Sequence, residues 1–158
     1  MADSSFYEKE SRLLTPGAFE FVLKAELRRA VRSQTFVTLV VVEMTREWEG
    51  MTVTADDGTL HEVANLIGRE VRATDLLGHH GRGTLALVLL DTDLESSAGV
   101  IERVSRIENY QFATPLRIAV GAACCPTHAL DAEALMRQAL ARPIVNWRGG
   151  VRSSARQR

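Results

Sequence analysis

The sequence predicts an α/β sandwich, a mostly antiparallel central sheet flanked by helices. Three observations carry this. Apolar residues recur at helical spacing in four segments. Runs of β-branched residues and leucine, of strand length, lie between them. A glycine-rich turn, Gly81-Arg82-Gly83, joins two such runs and predicts a hairpin in mid-chain. Taken in order, these signals give a β-α-β-β-α-β core.

Residues 1–12 are polar and read as an arm or linker. Thr15 followed by Pro16 caps and starts a helix over 16–33, with Phe19, Val22, Leu23, Leu27, Ala30 and Val31 on one face. Residues 36–44 are β-rich. The unbroken apolar run Leu39-Val40-Val41-Val42 predicts an interior strand covered on both faces. Arg46 to Asp57 reads as a polar loop holding Trp48 and Gly50. Leu60, Val63, Ala64, Ile67 and Val71 mark a second helix, over 59–73. A short strand within 75–80 and a longer one over 84–90 flank an exposed turn at 81–84. Leu94, Ala98, Ile101, Val104 and Ile107 mark a third helix, over 94–109. Leu116 to Ala123 alternates as a strand with one better-buried face. Ala132, Leu135, Met136 and Ala139 mark a short helix over 131–140, and Ile144 to Trp147 an edge strand. One domain spans 13–150, and residues 151–158 read as a frayed, disordered tail.

With 158 residues the chain fits a single core. Hydrophobic residues at 46% and charged residues at 25% mark an ordinary soluble globular protein. A net charge of -1 gives no general attraction to nucleic acid or to an anionic membrane. Of the 19 basic residues only Lys9 and Lys24 are lysines. Arginine forks suit guanine and phosphate, although a GC-rich coding sequence gives the same bias. Cys124 and Cys125 are neighbours in a strand and face opposite ways. They predict no disulfide, have no zinc spacing, and suit a reducing compartment. The N-terminus lacks a signal-peptide pattern, and no apolar run approaches the ~20 residues of a membrane helix. A cytoplasmic location is therefore expected, with no membrane contact.

His79 and His80 alternate across a strand, so their rings diverge and do not readily share a metal. His61 falls on the polar side of its helix and receives no role. Trp48 either packs on the sheet or caps a ligand, and packing is the expectation. No Ser/His/Asp or Cys/His spacing points to a hydrolase.

The stretch from Arg72 to Leu90 carries a family resemblance. Gly81-Arg82-Gly83-Thr84-Leu85 stands where diguanylate cyclases of the GGDEF family carry Gly-Gly-Asp/Glu-Glu-Phe. Arg72-Ala-Thr-Asp75 has the spacing of that family's inhibitory product-binding motif, Arg-x-x-Asp. Further matches follow in order. Leu14-Thr15 with Phe19 resembles the opening motif, residues 62–67 (Glu-Val-Ala-Asn-Leu-Ile) the helix before Arg-x-x-Asp, and Ile118 to Ala123 the strand Ser-Ile-Gly-Val-Ala. Leu135 to Gly150 follows the closing segment. The resemblance runs from about Leu14 to Gly150 and implies the fold shared by nucleotide cyclases and polymerase palms.

It also implies what is missing. Family enzymes join two GTP molecules, one from each of two protomers, and need metal ions on carboxylates to neutralise phosphate charge. The first metal position is Glu43, which keeps a carboxylate. The turn positions Gly83 and Thr84 carry none. Thr45 stands for a second acid, Trp147 for a phosphate-holding lysine, and the loop after Glu43 is shortened and lacks the guanine-reading asparagine. The expectation is a chain that is not an enzyme and holds no cofactor or metal.

Arg72 and Asp75, joined by Arg103 on the following helix, match the family's cyclic di-GMP site. Arg forks pair with guanine O6 and N7, and Asp accepts from guanine N–H groups. The three are expected to converge on one surface with polar atoms facing solvent or ligand. The plainer alternative is a local ion pair, worth roughly 0–1 kcal/mol at a surface. Gly81 and Gly83 suit a hairpin turn or a close phosphate approach, and Arg82 between them is presented to a phosphate or carboxylate. Three functions stay open: a receptor for cyclic di-GMP, an interaction module for a response regulator or other signalling protein with a vestigial site, and a noncanonical nucleotide cyclase. A homodimer is left open.

Overall fold

Twelve residues, Val37–Trp48 (β2), form the strand on which the rest is assembled, and its first six side chains are all buried. In the computed structural model the described residues are 6–8, 12–110, 112 and 115–146. The other strands are Leu13–Leu14 (β1), Met51–Thr54 (β3), Leu76–His79 (β4), Thr84–Leu90 (β5), Leu116–Cys125 (β6) and Pro143–Asn146 (β7). The helices are Pro16–Ser33 (α1), Asp57–Gly68 (α2), Ala98–Ser105 (α3) and Ala132–Ala141 (α4). One sheet of seven strands runs in the order β1-β4-β5-β2-β6-β7, and β3 folds back on the end of β2. Among the described residues only β1 and β4 pair in parallel.

The alternation along β2 feeds two cores. Val40, Val42 and Met44 pack with Leu60, Val63 and Ile67 of α2 and with Ile101 and Val104 of α3. Leu39 and Val41 pack with Phe19, Leu23 and Leu27 of α1 and Leu135 and Ala139 of α4. This is the expected sandwich, with the 36–44 strand interior and the 75–80 and 84–90 strands joined as a hairpin. Thr15 caps α1 by accepting from Ala18 N, Pro16 occupies its first turn, and Gln34 ends it in the left-handed region at φ 60°. β7 pairs with β6 as the expected edge strand, up to Asn146. Trp147, the tail 151–158 and most of the arm 1–12 lie outside the described residues.

Four expectations are corrected. Arg46 to Asp57 is not a loop: β2 runs on to Trp48 and turns at Glu49 (φ 50°) and Gly50 (φ 79°) into β3. Positive φ at both turn residues is the geometry a two-residue hairpin demands, and Thr, Arg, Trp, Val and Thr around it favour strand. The second helix stops at Gly68, because the residues that follow are spent on turns leading into β4. The third helix is broken into 3-10 turns at Glu95–Ser97 and Arg106–Asn109 around α3. Buried Ser97 bonds its own Leu94 carbonyl at 2.6 Å, a local bond of the kind that competes with α-helix. At the turn 81–84, Gly81 and Arg82 are exposed but Gly83 and Thr84 are buried.

Within the arm, residues 6–8 are bonded to the chain around β1. Tyr7 bridges Leu14, Glu8 N donates to Leu13 O at 2.8 Å, and Thr15 N donates to Phe6 O at 2.8 Å. These bonds fold residues 6–8 back along β1.

Two predictions follow from the packing. A Cβ at Gly78 of β4 would overlap the Phe19 side chain of α1. Gly78→Ala is expected to cost about 1–3 kcal/mol by overpacking, read as a lower urea midpoint. An unchanged midpoint would contradict the close approach. The second concerns His128, whose Nδ1 accepts from Cys124 N at 2.9 Å and so must be deprotonated there. Burial, and then the charge of Arg142, hold His128 below the ordinary histidine range. The folded value is depressed, so the unfolded chain binds the extra proton first. This contribution is present above about pH 6.5 and lost as pH falls below it. Stability from pH 7 to 5 should fall less steeply in His128→Asn, measured by urea melts at each pH.

Candidate functional site

The β4–β5 turn is stitched to the end of the central strand. His80 N donates to Thr84 O at 2.9 Å, and Met44 N donates to Gly83 O at 2.8 Å. Gly81 and Gly83 take φ of 71° and 67°. A Cβ on Gly83 would also lie 3.1 Å from Met44 O, so this position combines a left-handed backbone with a close approach. The register sets Glu43 of β2 directly opposite Thr84 of β5. Glu43 is exposed, while the Thr84 hydroxyl turns back to donate to Arg82 O at 3.3 Å. One carboxylate therefore faces a hydroxyl where the family resemblance implies an acid pair. Among the described residues no group of three or more His, Cys, Asp or Glu side chains could hold a metal ion.

Arg72-Ala-Thr-Asp75 forms the turn that leads into β4, closed by Asp75 N donating to Arg72 O at 3.0 Å. The Asp75 carboxylate is buried, at 2% side-chain exposure. Oδ2 accepts from Arg72 N at 3.1 Å and Arg72 Nε at 3.3 Å, and Oδ1 from Arg72 Nη2 and Leu90 N, each at 3.2 Å. Arg72 Nη2 also donates to Leu90 O at 2.7 Å and Thr92 Oγ1 at 2.9 Å. Its side chain is 57% exposed.

The expectation that Asp75 faces solvent or ligand is therefore corrected: its oxygens are consumed in binding the turn to the end of β5. Arg103 is not bonded to this pair. Its Nε meets Glu70 Oε1 at 3.0 Å and its Nη2 donates to Glu70 O at 3.2 Å. Glu70 lies on the same connection as Arg72, two residues earlier, so Arg103 reaches the connection without reaching Asp75. The side chain of Arg103 is 48% exposed.

Other polar groupings bear no mark in the sequence. Arg12 donates to Gly68 O at 3.1 Å, Arg72 O at 2.9 Å and Asp75 O at 3.0 Å, holding the end of α2 and the Arg72 turn together. Glu8 bonds His61 Nε2 at 2.9 Å and His79 Nδ1 at 2.8 Å, so His61 does have a role. These partners lie more than fifty residues apart, and three of the acceptors are backbone carbonyls, invisible to motif reading. His79 and His80 do diverge, since His80 lines the groove between α1 and α4. Trp48 does not pack on the sheet. It is 51% exposed at the β2–β3 hairpin, with the Arg46 guanidinium 5.3 Å from its ring centroid. The unread signal was Trp48-Glu49-Gly50-Met51, a two-residue turn flanked by strand formers.

Asp75→Ala is expected to cost about 3 kcal/mol in denaturant melts, because it leaves the Leu90 and Arg72 amides without their acceptor. Arg72→Ala should cost about 1 kcal/mol, as an exposed partner. A stability for Asp75→Ala within about 0.5 kcal/mol of the parent, the range of ordinary surface substitutions, would show that the carboxylate is not structural.

Comparison with known proteins agrees with the fold. The profile of the diguanylate cyclase GGDEF domain matches residues 15–142. No curated protein matches the chain by sequence. The GGDEF domain of YfiN (TpbB) from Pseudomonas aeruginosa superposes with a TM-score of 0.71 at 20% identity, covering 82% of this chain and 86% of that one. The GGDEF domain of FimX from Pseudomonas aeruginosa gives 0.73 at 17% identity, covering 87% and 91%. The GGDEF domain of DgcB from Caulobacter crescentus, solved in complex with c-di-GMP, gives 0.68 at 14% identity, covering 87% and 86%. At these identities the structures speak for the fold, and the profile speaks for the family. With that profile spanning most of its length, the chain belongs to the GGDEF family of diguanylate cyclase domains.

Proposed function

We propose that this chain is a catalytically silent GGDEF domain that acts as a receptor for cyclic di-GMP, using Arg72 and Arg103 on the connection into β4. Silence is supported by the pairing of Glu43 with Thr84. Joining two triphosphates needs hard cations held by carboxylate oxygens at the turn, and Gly83 and Thr84 bring none. Thr45 in place of an acid and Trp147 in place of a lysine take away a further carboxylate and a phosphate contact.

The receptor reading rests on one observation. The Arg72 fork is half-exposed yet held in place by a buried carboxylate. With Nε and Nη2 committed to Asp75, Leu90 O and Thr92, a guanidinium fixed in this way keeps Nη1 to donate to a guanine or phosphoryl oxygen and loses little freedom in doing so. Arg103, half-exposed and anchored on Glu70, supplies a second donor for a base or a phosphate. Asp75 thereby becomes a positioning residue rather than a guanine acceptor. DgcB, a structural relative, has been solved with c-di-GMP. The setting we propose is the cytoplasm, where the buried free thiols of Cys124 and Cys125 stay reduced. Among the described residues no helix is long and apolar enough to cross a membrane.

A second reading, a protein-interaction module for a response regulator or other signalling protein, is favoured by the saturation of the Asp75 carboxylate, which leaves it no capacity to accept from guanine. Calorimetry separates the two. Cyclic di-GMP is expected to bind the parent protein. Arg72→Ala should weaken binding about tenfold, the value of one hydrogen bond from a charged donor, about 1.5 kcal/mol. Absence of heat at high-micromolar ligand would leave the interaction module. Incubation with GTP and Mg²⁺ or Mn²⁺ is expected to yield no cyclic di-GMP, and product lost on Glu43→Gln would overturn the silence.

A further inference from the structure

Glu8 of the arm sits between two histidines that come from different elements. Its Oε1 meets Nε2 of His61 on α2 at 2.9 Å, and its Oε2 meets Nδ1 of His79 on β4 at 2.8 Å. The side chains of Glu8, His61 and His79 are 18%, 34% and 13% exposed, so water competes weakly for these bonds. The two rings stand edge to face, with centroids 6.5 Å apart.

Donors and acceptors around His61 balance only when the cluster holds a proton. His61 Nδ1 lies 2.8 Å from Asp57 O, a carbonyl that can only accept. Its Nε2 faces a carboxylate oxygen that, when ionised, can only accept as well. Both ring nitrogens therefore have to donate, and a neutral imidazole has a single N–H. Imidazolium facing carboxylate satisfies both contacts. The reverse placement, a neutral ring accepting from a carboxylic acid, would put the proton on the weaker base. His79 needs only one N–H for its contact. When His61 loses its proton, a lone pair on one of its nitrogens is left against an acceptor at hydrogen-bond distance.

The other described charges on the neighbouring elements are turned elsewhere. Asp57 and Glu62 of α2 are exposed, and His80 lines the groove between α1 and α4. Arg12 donates to Gly68 O at the far end of α2. In the 3-10 turn Arg106–Asn109, which packs against α2, Arg106 pairs with Glu102 and Glu108 accepts from Ile118 N. The docked arm thus keeps a proton that a released His61 gives up at the ordinary histidine value of about 6.5. Docking is strongest in mild acid and weakens as pH rises.

We propose that residues 6–8 form a proton-linked strap, closed over the outer edge of β1 when His61 is protonated and opened when it is not. Closed, the strap gives Leu13 O and Thr15 N their partners Glu8 N and Phe6 O, each at 2.8 Å. Opening withdraws both and uncovers the end of the sheet beyond β1, an edge able to pair with another strand. The strap does not depend on the receptor reading.

Amide hydrogen exchange of the full chain tests it, with each rate divided by the intrinsic rate at the same pH. Protection of the Glu8 and Thr15 amides should fall about tenfold between about pH 6 and pH 8, the linkage expected of one proton. The Ala55 amide, bonded to Met44 O at 3.1 Å in the β2–β3 hairpin, is the control and should not follow. Glu8→Gln and His61→Gln should each lower protection at about pH 6 and abolish its pH dependence. His79→Gln should lower protection at both pH values and keep their ratio. Neither His61 nor Glu8 belongs to the two apolar cores, so these variants should fold. The strap is overturned if the parent shows equal protection at both pH values, if Ala55 changes in parallel, or if the pH dependence survives in Glu8→Gln or His61→Gln.

Discussion

The burial of β2 on both faces and along both edges is the constraint on which the structure depends. Val37 to Glu43 pairs with β5 on one side and β6 on the other, while alternate side chains enter separate cores. A slip of one residue would send Val40 and Val42 toward α1 and α4, and Leu39 and Val41 toward α2 and α3, so the register is tightly specified. That register also sets the functional geometry. It brings Glu43 opposite Thr84 and lets Met44 hold the Gly83 turn. What chemistry the turn can perform is settled by side chains that the core has no reason to retain.

The connection between α2 and β4 shows how one motif serves two ends. Arg12, Arg72 and Asp75 satisfy backbone groups of Gly68, Arg72, Asp75 and Leu90, most of them where no helix or ladder partner is available. Asp75 acts at its centre and is fully committed. Arg72 keeps its outer face in solvent. The residue whose loss should harm folding most is thus not the one best placed to touch a ligand, and stability and binding measurements are expected to separate them.

Charge at the turn has changed sign relative to the pattern that the resemblance implies. A turn of acids beside a metal carboxylate is suited to cations and their bound phosphates. Here Gly83 and Thr84 are uncharged, and Arg46, Asp56, Asp57 and Arg82 line a cleft beside them. The hairpin that replaces the family loop delivers Arg46 to that place.

Periodicity was enough to establish the sandwich, the interior position of 36–44, the central hairpin and the four helical segments, because burial leaves a regular trace of period 2 or 3.6 in the order of apolar residues. Local chemistry was equally legible where it involved near neighbours, as in Thr15-Pro16 at the start of α1 and the Arg-x-x-Asp turn. The Glu49-Gly50 hairpin was written in the sequence too, but its polar flanks masked the strand alternation. Tertiary structure alone decided the rest. It buried Asp75, sent Arg103 to Glu70, tied Glu8 to two histidines and brought Arg46 and Arg82 to the lining of one cleft. Hydrogen bonds to carbonyls and contacts across fifty residues leave no periodic trace, since each depends on where the chain returns and not on what lies beside it.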